Sequence, residues 1–285
     1  MNRRSFLQSA LAIGVCGVMP SPLLAVPRFA SNRISVTVQG SGPDVILIPG
    51  LTASRAIWNG TVAAVPGYCY HLVQVAGFAG HPASGNAKGP ILGPLAAEIA
   101  RYIDAAGLKG PALVGHSMGG TLAMMVAARH PAKVGRLMVV DMLPEPAGLL
   151  GASASGIAPL ANSLRDLFGS SPGGRQLISS LMGRFGSDEP NGPKSDPDVV
   201  ARASHELALL DLTPELPRIA APMTVLFATP APGGNVPPER VAANYRRAYA
   251  RAPKARLAGI ANSGHMIMYD QPAKFRAELK AFLAR

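Results

Sequence analysis

The sequence predicts an α/β fold, a mostly parallel sheet with helices on both faces, and three observations carry that prediction. Short β-rich runs alternate with helical patterns from residue 33 onward, the order that parallel strands joined by crossover helices produce. Hydrophobic residues make up 48% of the 285 and charged residues only 15%, enough apolar surface for one large core. Gly and Pro are abundant but follow no period, which excludes fibrous and low-complexity architectures.

The first thirty residues stand outside that pattern. MNRRSFLQSALAIGVCGVMPSPLLAVPRFA has a charged start, an apolar stretch from Phe6 to Met19, and then small residues and prolines, the three regions of an export signal. Its apolar part is shorter than the roughly 20 residues a bilayer span needs. Two arginines ahead of Phe6 and Leu7 are similar to the twin-arginine type. The expectation is a leader over 1–30, cleaved after Ala25 or Ala30, a periplasmic or secreted product, and no stable membrane insertion afterwards. Removing Arg3 and Arg4 lowers the formal charge from +11 to +9.

ISVTVQ (34–39) and DVILIP (44–49) read as strands joined by a Gly-Ser-Gly-Pro turn, because β-branched runs bounded by turn residues favour extended chain. YHLVQVAG (70–77) is the next strand. ILGPLAAEIARYIDAAG (91–107) carries apolar residues at three-and-four spacing and is a helix. PALVGH (111–116) and RLMVVD (136–141) are strands on either side of the helix TLAMMVAARHP (121–131), which a proline ends. From Met142 to Pro217 the strand pattern stops, and helical pieces such as SLRDLF and DVVARASHELALL appear. This block, 142–217, reads as a helical cap inserted into a core made of 31–141 and 218–285. MTVLFA (223–228), a helix from Pro238, a short strand at 256–260 and a helix from Pro272 complete the core.

At the junction of PALVGH and TLAMMVAARHP stands G-x-S-x-G, with Gly115, Ser117 and Gly119. The spacing suits a tight strand-to-helix turn that exposes a serine hydroxyl, where larger residues two positions away would strike the backbone. That turn lies at the carboxyl edge of the sheet, where open α/β folds bind ligands. With this motif in this context, the chain resembles the α/β-hydrolase fold family, in its serine esterase and lactonase branch, over most of residues 31–285.

The resemblance implies the remaining site. His265, in NSGHMIMYDQP between the last strand and the last helix, matches the family's base. His116 then packs beneath the turn, and His71, His81, His130 and His205 are structural. Oxyanion donors are the backbone N–H groups of Met118, next after the nucleophile, and of Leu51, in IPGLTASRAIW where the family has a His-Gly segment. The acid is the anomaly: the loop where family members most often carry it is TPAPGGNVPP (229–238), which holds Asn235 and no carboxylate before Glu239. Some branches place the acid at the end of the strand that is sixth in the family's full count, and here RLMVVD ends on Asp141, 24 residues after Ser117. A carboxylate closing so apolar a run also needs a partner to offset its desolvation. Asp141 is therefore the expected acid, with Glu145 and then Glu239 as alternatives.

These assignments predict an exported serine hydrolase that cleaves carboxylic esters or lactones of largely apolar small molecules through an acyl-enzyme, the cap lidding an apolar pocket. The same triad also serves carbon–carbon bond hydrolysis and acyl transfer, and a binding protein that lost turnover is a further alternative. No cofactor or metal is expected. Cys16 leaves with the leader and the remaining Cys69 reads as a small buried hydrophobe, so neither a disulfide nor a cysteine-cluster metal site is predicted. The late basic stretches NYRRAYARAPKAR and KFRAELKAFLAR lack aromatic interleaving and read as solvated faces, which excludes a nucleic-acid partner.

Overall fold

A computed structural model describes residues 29–170, 194–231 and 236–284; the leader up to residue 28, part of the 142–217 block and Asn235 lie outside them. Seven strands form one sheet: β1 (Ile34–Gly40), β2 (Asp44–Ile48), β3 (Cys69–Val75), β4 (Ala112–His116), β5 (Arg136–Val140), β6 (Met223–Thr229) and β7 (Arg256–Ala261), in the order β1-β3-β2-β4-β5-β6-β7. β1 runs antiparallel to β3, and every other pair is parallel.

Alternation along the strands divides the apolar side chains between two cores. Ile46, Ile48, Val73, Val75, Leu113 and Val139 face helices α2 (Leu92–Ala105) and α3 (Met118–Arg129). Val45, Leu47, Leu72, Val114, Met138 and Leu226 face the other way, onto Trp58 and helix α8 (Pro272–Leu283) through Phe275, Leu279 and Phe282. A sheet covered on both faces needs strands that are apolar at every position, which is why β4 reads ALVGH and is buried throughout. Among the short helical stretches that were not expected, a 3₁₀ turn at Arg55–Trp58 runs into α1 (Asn59–Ala64) and buries Trp58 completely.

Two strand ends are sharper than periodicity suggests. α3 starts at Met118 rather than 121, because Ser117 ends β4 with φ 53° and the helix begins at the next residue. β5 stops at Val140 because Asp141 takes φ 52°. Cys69 differs from its expected place in the core. As the first residue of β3 it is half-buried beside Asp44 and His71, at the amino edge of the sheet.

In the 142–217 block, α4 (Ala154–Ser170) and α5 (Pro197–Leu209) pack on each other. Side chains around α5 tie the block to the core. Glu206 accepts hydrogen bonds from Ile91 N and Leu92 N at 2.7 and 2.8 Å, at the start of α2. Arg202 donates to the Asn86 and Gly89 carbonyls, each at 2.6 Å. Ser195 bridges the chain at Ala79 N and Thr52 O.

Candidate active site

Ser117 sits in the turn between β4 and α3 with φ 53° and ψ −125°, a conformation that L-residues rarely adopt and that costs about 1–3 kcal/mol. Surrounding backbone holds it there. Its N–H donates to Val140 O at 2.9 Å, and its carbonyl accepts from Gly120 N at 2.7 Å. The motif's glycines are required by close approach. A Cβ on Gly115 would lie 2.1 Å from Gly119 O, and one on Gly119 would lie 2.2 Å from Ile48 O and 2.6 Å from Pro49 O. Backbone, not side chain, occupies both places, so nothing cheap can move aside.

The loop after β2 comes to the same point. A Cβ on Gly50 would lie 3.1 Å from Ser117 Cβ, so the chain entering Leu51 runs beside the serine. Leu51 is half-buried and Thr52 beyond it has φ 62°. Met118 is the first residue of α3, and the first N–H groups of a helix have no partner within it. The two expected oxyanion donors thus lie on segments adjacent to the serine.

His265 stands between β7 and α7 (Ile267–Asp270). Asn262, with φ 59°, turns the chain out of β7, and Asp270 Oδ2 accepts from Gly264 N at 2.8 Å. The loop is therefore clamped on the residue immediately before the imidazole. His265 Nδ1 lies 2.7 Å from Asp141 Oδ2. Asp141 is 7% exposed, and its other oxygen, Oδ1, accepts from Ala228 N at 2.9 Å and from the Tyr245 hydroxyl at 3.1 Å. Leaving the strand at Asp141 would deprive an amide of β6 of its ladder partner, and the side-chain oxygen takes that place at Ala228. Burial, and then the charge of Asp141, push the Tyr245 phenol well above its ordinary pKa, so it stays a donor.

The other acids are engaged elsewhere. Glu145 Oε1 accepts from Ala154 N at 2.6 Å, capping α4, and Glu239 is exposed in the first turn of α6 (Pro238–Ala248). Of the three carboxylates considered from sequence, the structure brings Asp141 to the imidazole.

Two contributors were not visible in the sequence. Tyr245 reaches Asp141 from α6, over a hundred positions along the chain, and stacks on Phe227 at 4.4 Å between centroids. His116, the variable residue of the motif, does more than pack under the turn. Its Nε2–H donates to the His265 carbonyl at 2.9 Å, and its ring lies 4.7 Å from that of His265. Burial, and then the neighbouring His265, push its pKa down to about 3, so it is neutral and holds the base by its backbone without adding charge. The remaining histidines lie apart: His71 bonds Tyr102 and Asp44, and His205 bonds Asn162.

The arrangement has the parts of nucleophilic acyl transfer: a half-buried serine on a strained turn, an imidazole fixed through Nδ1 by a buried carboxylate, and amides at a helix start beside the serine. Relatives agree with this chemistry. The chain is 28% identical over 216 residues to a pimeloyl-(acyl-carrier protein) methyl ester esterase of Vibrio atlanticus, covering 69% of this chain and 80% of that one. It is 27% identical over 253 residues to an N-formylmaleamate deformylase of Pseudomonas putida, covering 86% and 90%. The enol-lactonase structure from Burkholderia xenovorans superposes with a TM-score of 0.67 at 20% identity, over 88% of this chain and 96% of that chain. The sequence profile of the alpha/beta hydrolase family matches residues 45–278, most of the chain, and the protein belongs to that family.

Proposed function

We propose that this chain is a serine hydrolase that cleaves carboxylic esters or lactones through an acyl-enzyme. Ser117 Oγ attacks the carbonyl carbon while His265 Nε2 takes its proton. Asp141, on Nδ1, keeps the imidazole in the tautomer whose lone pair sits on Nε2 and stabilises the imidazolium that forms. The N–H groups of Met118 and Leu51 receive the developing oxyanion. The imidazolium returns the proton to the departing alkoxide, and water then repeats the sequence on the acyl-enzyme. The observation that carries this reading is the 2.7 Å contact between His265 Nδ1 and Asp141 Oδ2, because it supplies the orienting anion that the loop after β6 lacks. Esterase and deformylase names among the relatives support acyl chemistry.

The finer assignments are part of the same proposal. The acyl or alcohol portion is largely apolar, since the 142–217 block is rich in Leu, Ile, Met and Ala and ligand pockets of this kind are lined mainly by such residues. The leader directs the enzyme to the periplasm or beyond.

A fluorophosphonate probe, followed by peptide mapping, tests the nucleophile: Ser117 carries the label in the wild type and the label is lost in Ser117→Ala. Nitrophenyl esters of rising chain length then test the substrate class, with turnover expected to increase from acetate towards medium-length acyl groups. An unlabelled Ser117, or label on another serine, would overturn the assignment.

A further inference from the structure

At the end of the sheet away from Ser117, the amino ends of β2 and β3 bring together three side chains that no step of ester hydrolysis uses. Asp44 and Cys69 are register partners in the parallel β2/β3 pair, so their side chains leave the sheet on the same side. His71, two residues further along β3, points the same way. One ligand atom from each lies within 4.8 Å of the others, and His71 Nε2 is 3.0 Å from Asp44 Oδ1.

We propose that Asp44, Cys69 and His71 form a binding site for a divalent transition-metal ion of the zinc class, with one coordination position open to solvent. Thiolate, imidazole and carboxylate together select zinc-like ions over magnesium or calcium, which prefer oxygen alone. Zinc bonds of about 2.0–2.3 Å place tetrahedral donor atoms about 3.3–3.8 Å apart, so the donors need only modest rotation. Cys69 is half-buried and the Asp44 side chain is 32% exposed; both have room to rotate, and the ion has a way in. Asp44, thiolate and neutral imidazole sum to two negative charges, which a dication neutralises.

The residue behind the cluster fits a metal-bound histidine. Tyr102, from α2, lies 2.6 Å from His71 Nδ1, and it is itself packed against Phe29 at 4.9 Å. Metal-ligating histidines are held through their second nitrogen by such a partner, which fixes the tautomer and the ring plane. The phenol oxygen can accept from Nδ1–H once the metal holds Nε2. A coordinating cation removes the proton of the Cys69 thiol. Binding therefore releases one proton as the metal–sulfur bond forms, with no change in oxidation state.

The test uses the full chain and Co2+ as a coloured substitute for Zn2+. Expected are a near-ultraviolet thiolate-to-Co2+ charge-transfer band that saturates at one equivalent and is bleached by Zn2+, and a thermal midpoint that rises with Zn2+. In Cys69→Ser the band disappears although Cys16 is still present, and in Asp44→Asn affinity falls at least about tenfold, with far-ultraviolet circular dichroism unchanged in both. Should either variant misfold, protection of wild-type Cys69 from alkylation by Zn2+, read by peptide mass, gives the same answer. No band on the wild type, a band that survives Cys69→Ser, undiminished affinity in Asp44→Asn, or no protection of Cys69 would each overturn the site.

Discussion

Replacing Asp141 by Asn separates the orienting role of this side chain from its structural one. Oδ1 of Asp141 accepts from Ala228 N and Tyr245 OH, while Oδ2 meets His265 Nδ1. An asparagine in the same rotamer keeps its carbonyl oxygen on the two donors, because the reverse flip would set an NH2 group against an amide N–H and a phenol. Its NH2 group then faces His265 Nδ1. Two donors cannot share that contact, so the imidazole moves its proton to Nε2 and loses the lone pair that takes the serine's proton. A wrong tautomer of this kind lowers turnover by about four orders of magnitude in an analogous triad, equivalent to about 5.4 kcal/mol of barrier. Stability should barely change, whereas Asp141→Ala strands both donors at about 1–3 kcal/mol each and lowers the thermal midpoint. Steady-state hydrolysis of a nitrophenyl ester, paired with thermal melts of Asp141→Asn, Asp141→Ala, Glu145→Gln and Glu239→Gln, reads both quantities. Turnover in Asp141→Asn within tenfold of wild type, or its abolition by Glu239→Gln alone, would refute the reasoning.

Three further outcomes follow from the geometry. His116 titrates near 3 when folded and about 6.5 when unfolded, so between those values the unfolded chain holds a proton that the native one lacks. Its contribution to stability is complete above pH 6.5 and is lost as the pH falls towards 3, at up to about 1.4 kcal/mol per pH unit. Urea melts at pH 7, 5.5 and 4.5 should accordingly show a shallower acid decline in His116→Gln than in wild type, and equal slopes would count against a buried neutral His116. Ser117→Gly should abolish turnover yet stabilise the fold by up to about 2 kcal/mol, the strain of about 1–3 kcal/mol at φ 53° less about 0.5–1 kcal/mol for the entropy of glycine; a lower thermal midpoint would contradict the strain. Gly119→Ala puts a Cβ 2.2 Å from Ile48 O and displaces the loop that carries Leu51, so kcat should fall by about 100-fold or more, and near-normal kcat would show that loop to be unimportant.

The fold was legible because a sheet buried on both faces leaves short apolar runs bounded by turn residues and alternating with helical patterns, such as ALVGH and RLMVV. Ser117 and His265 were legible because their loops carry local wording: glycines forced by close approach, and an SGH turn ahead of the last helix. Asp141 was legible as a chemical anomaly, an anion at the end of an apolar strand, and the structure gives it the partners that desolvation demands. Tyr245 and His116 were not legible as parts of the site, because their contacts join positions more than a hundred residues apart. Periodicity on α6 marks a buried face without saying what it touches. Cys69 was misread for a related reason: its apolar neighbours in sequence suggest a core residue, but the first position of a strand meets the edge of the sheet, and its nearest polar companion, Asp44, comes from another strand.

Three of the residues with positive φ, Ser117, Asp141 and Asn262, stand at the carboxyl ends of β4, β5 and β7. Each turn costs energy that an isolated loop would relax. Here the ladder prevents relaxation: Ser117 N is held by Val140 O, Asp141 N by Leu226 O, and Ser263 N, one residue past Asn262, by Thr229 O. The hydrogen bonds that hold the turns belong to the same parallel pairs that form the core. Relative positions of hydroxyl, carboxylate and imidazole are therefore as fixed as the register of the sheet itself. Changes in the 142–217 block should alter which ester enters, appearing in KM and chain-length preference, while the rate at which Ser117 takes a small fluorophosphonate label stays near wild type. A substitution in that block that slowed labelling of Ser117 without changing chain-length preference would show that the site is shaped from outside the sheet.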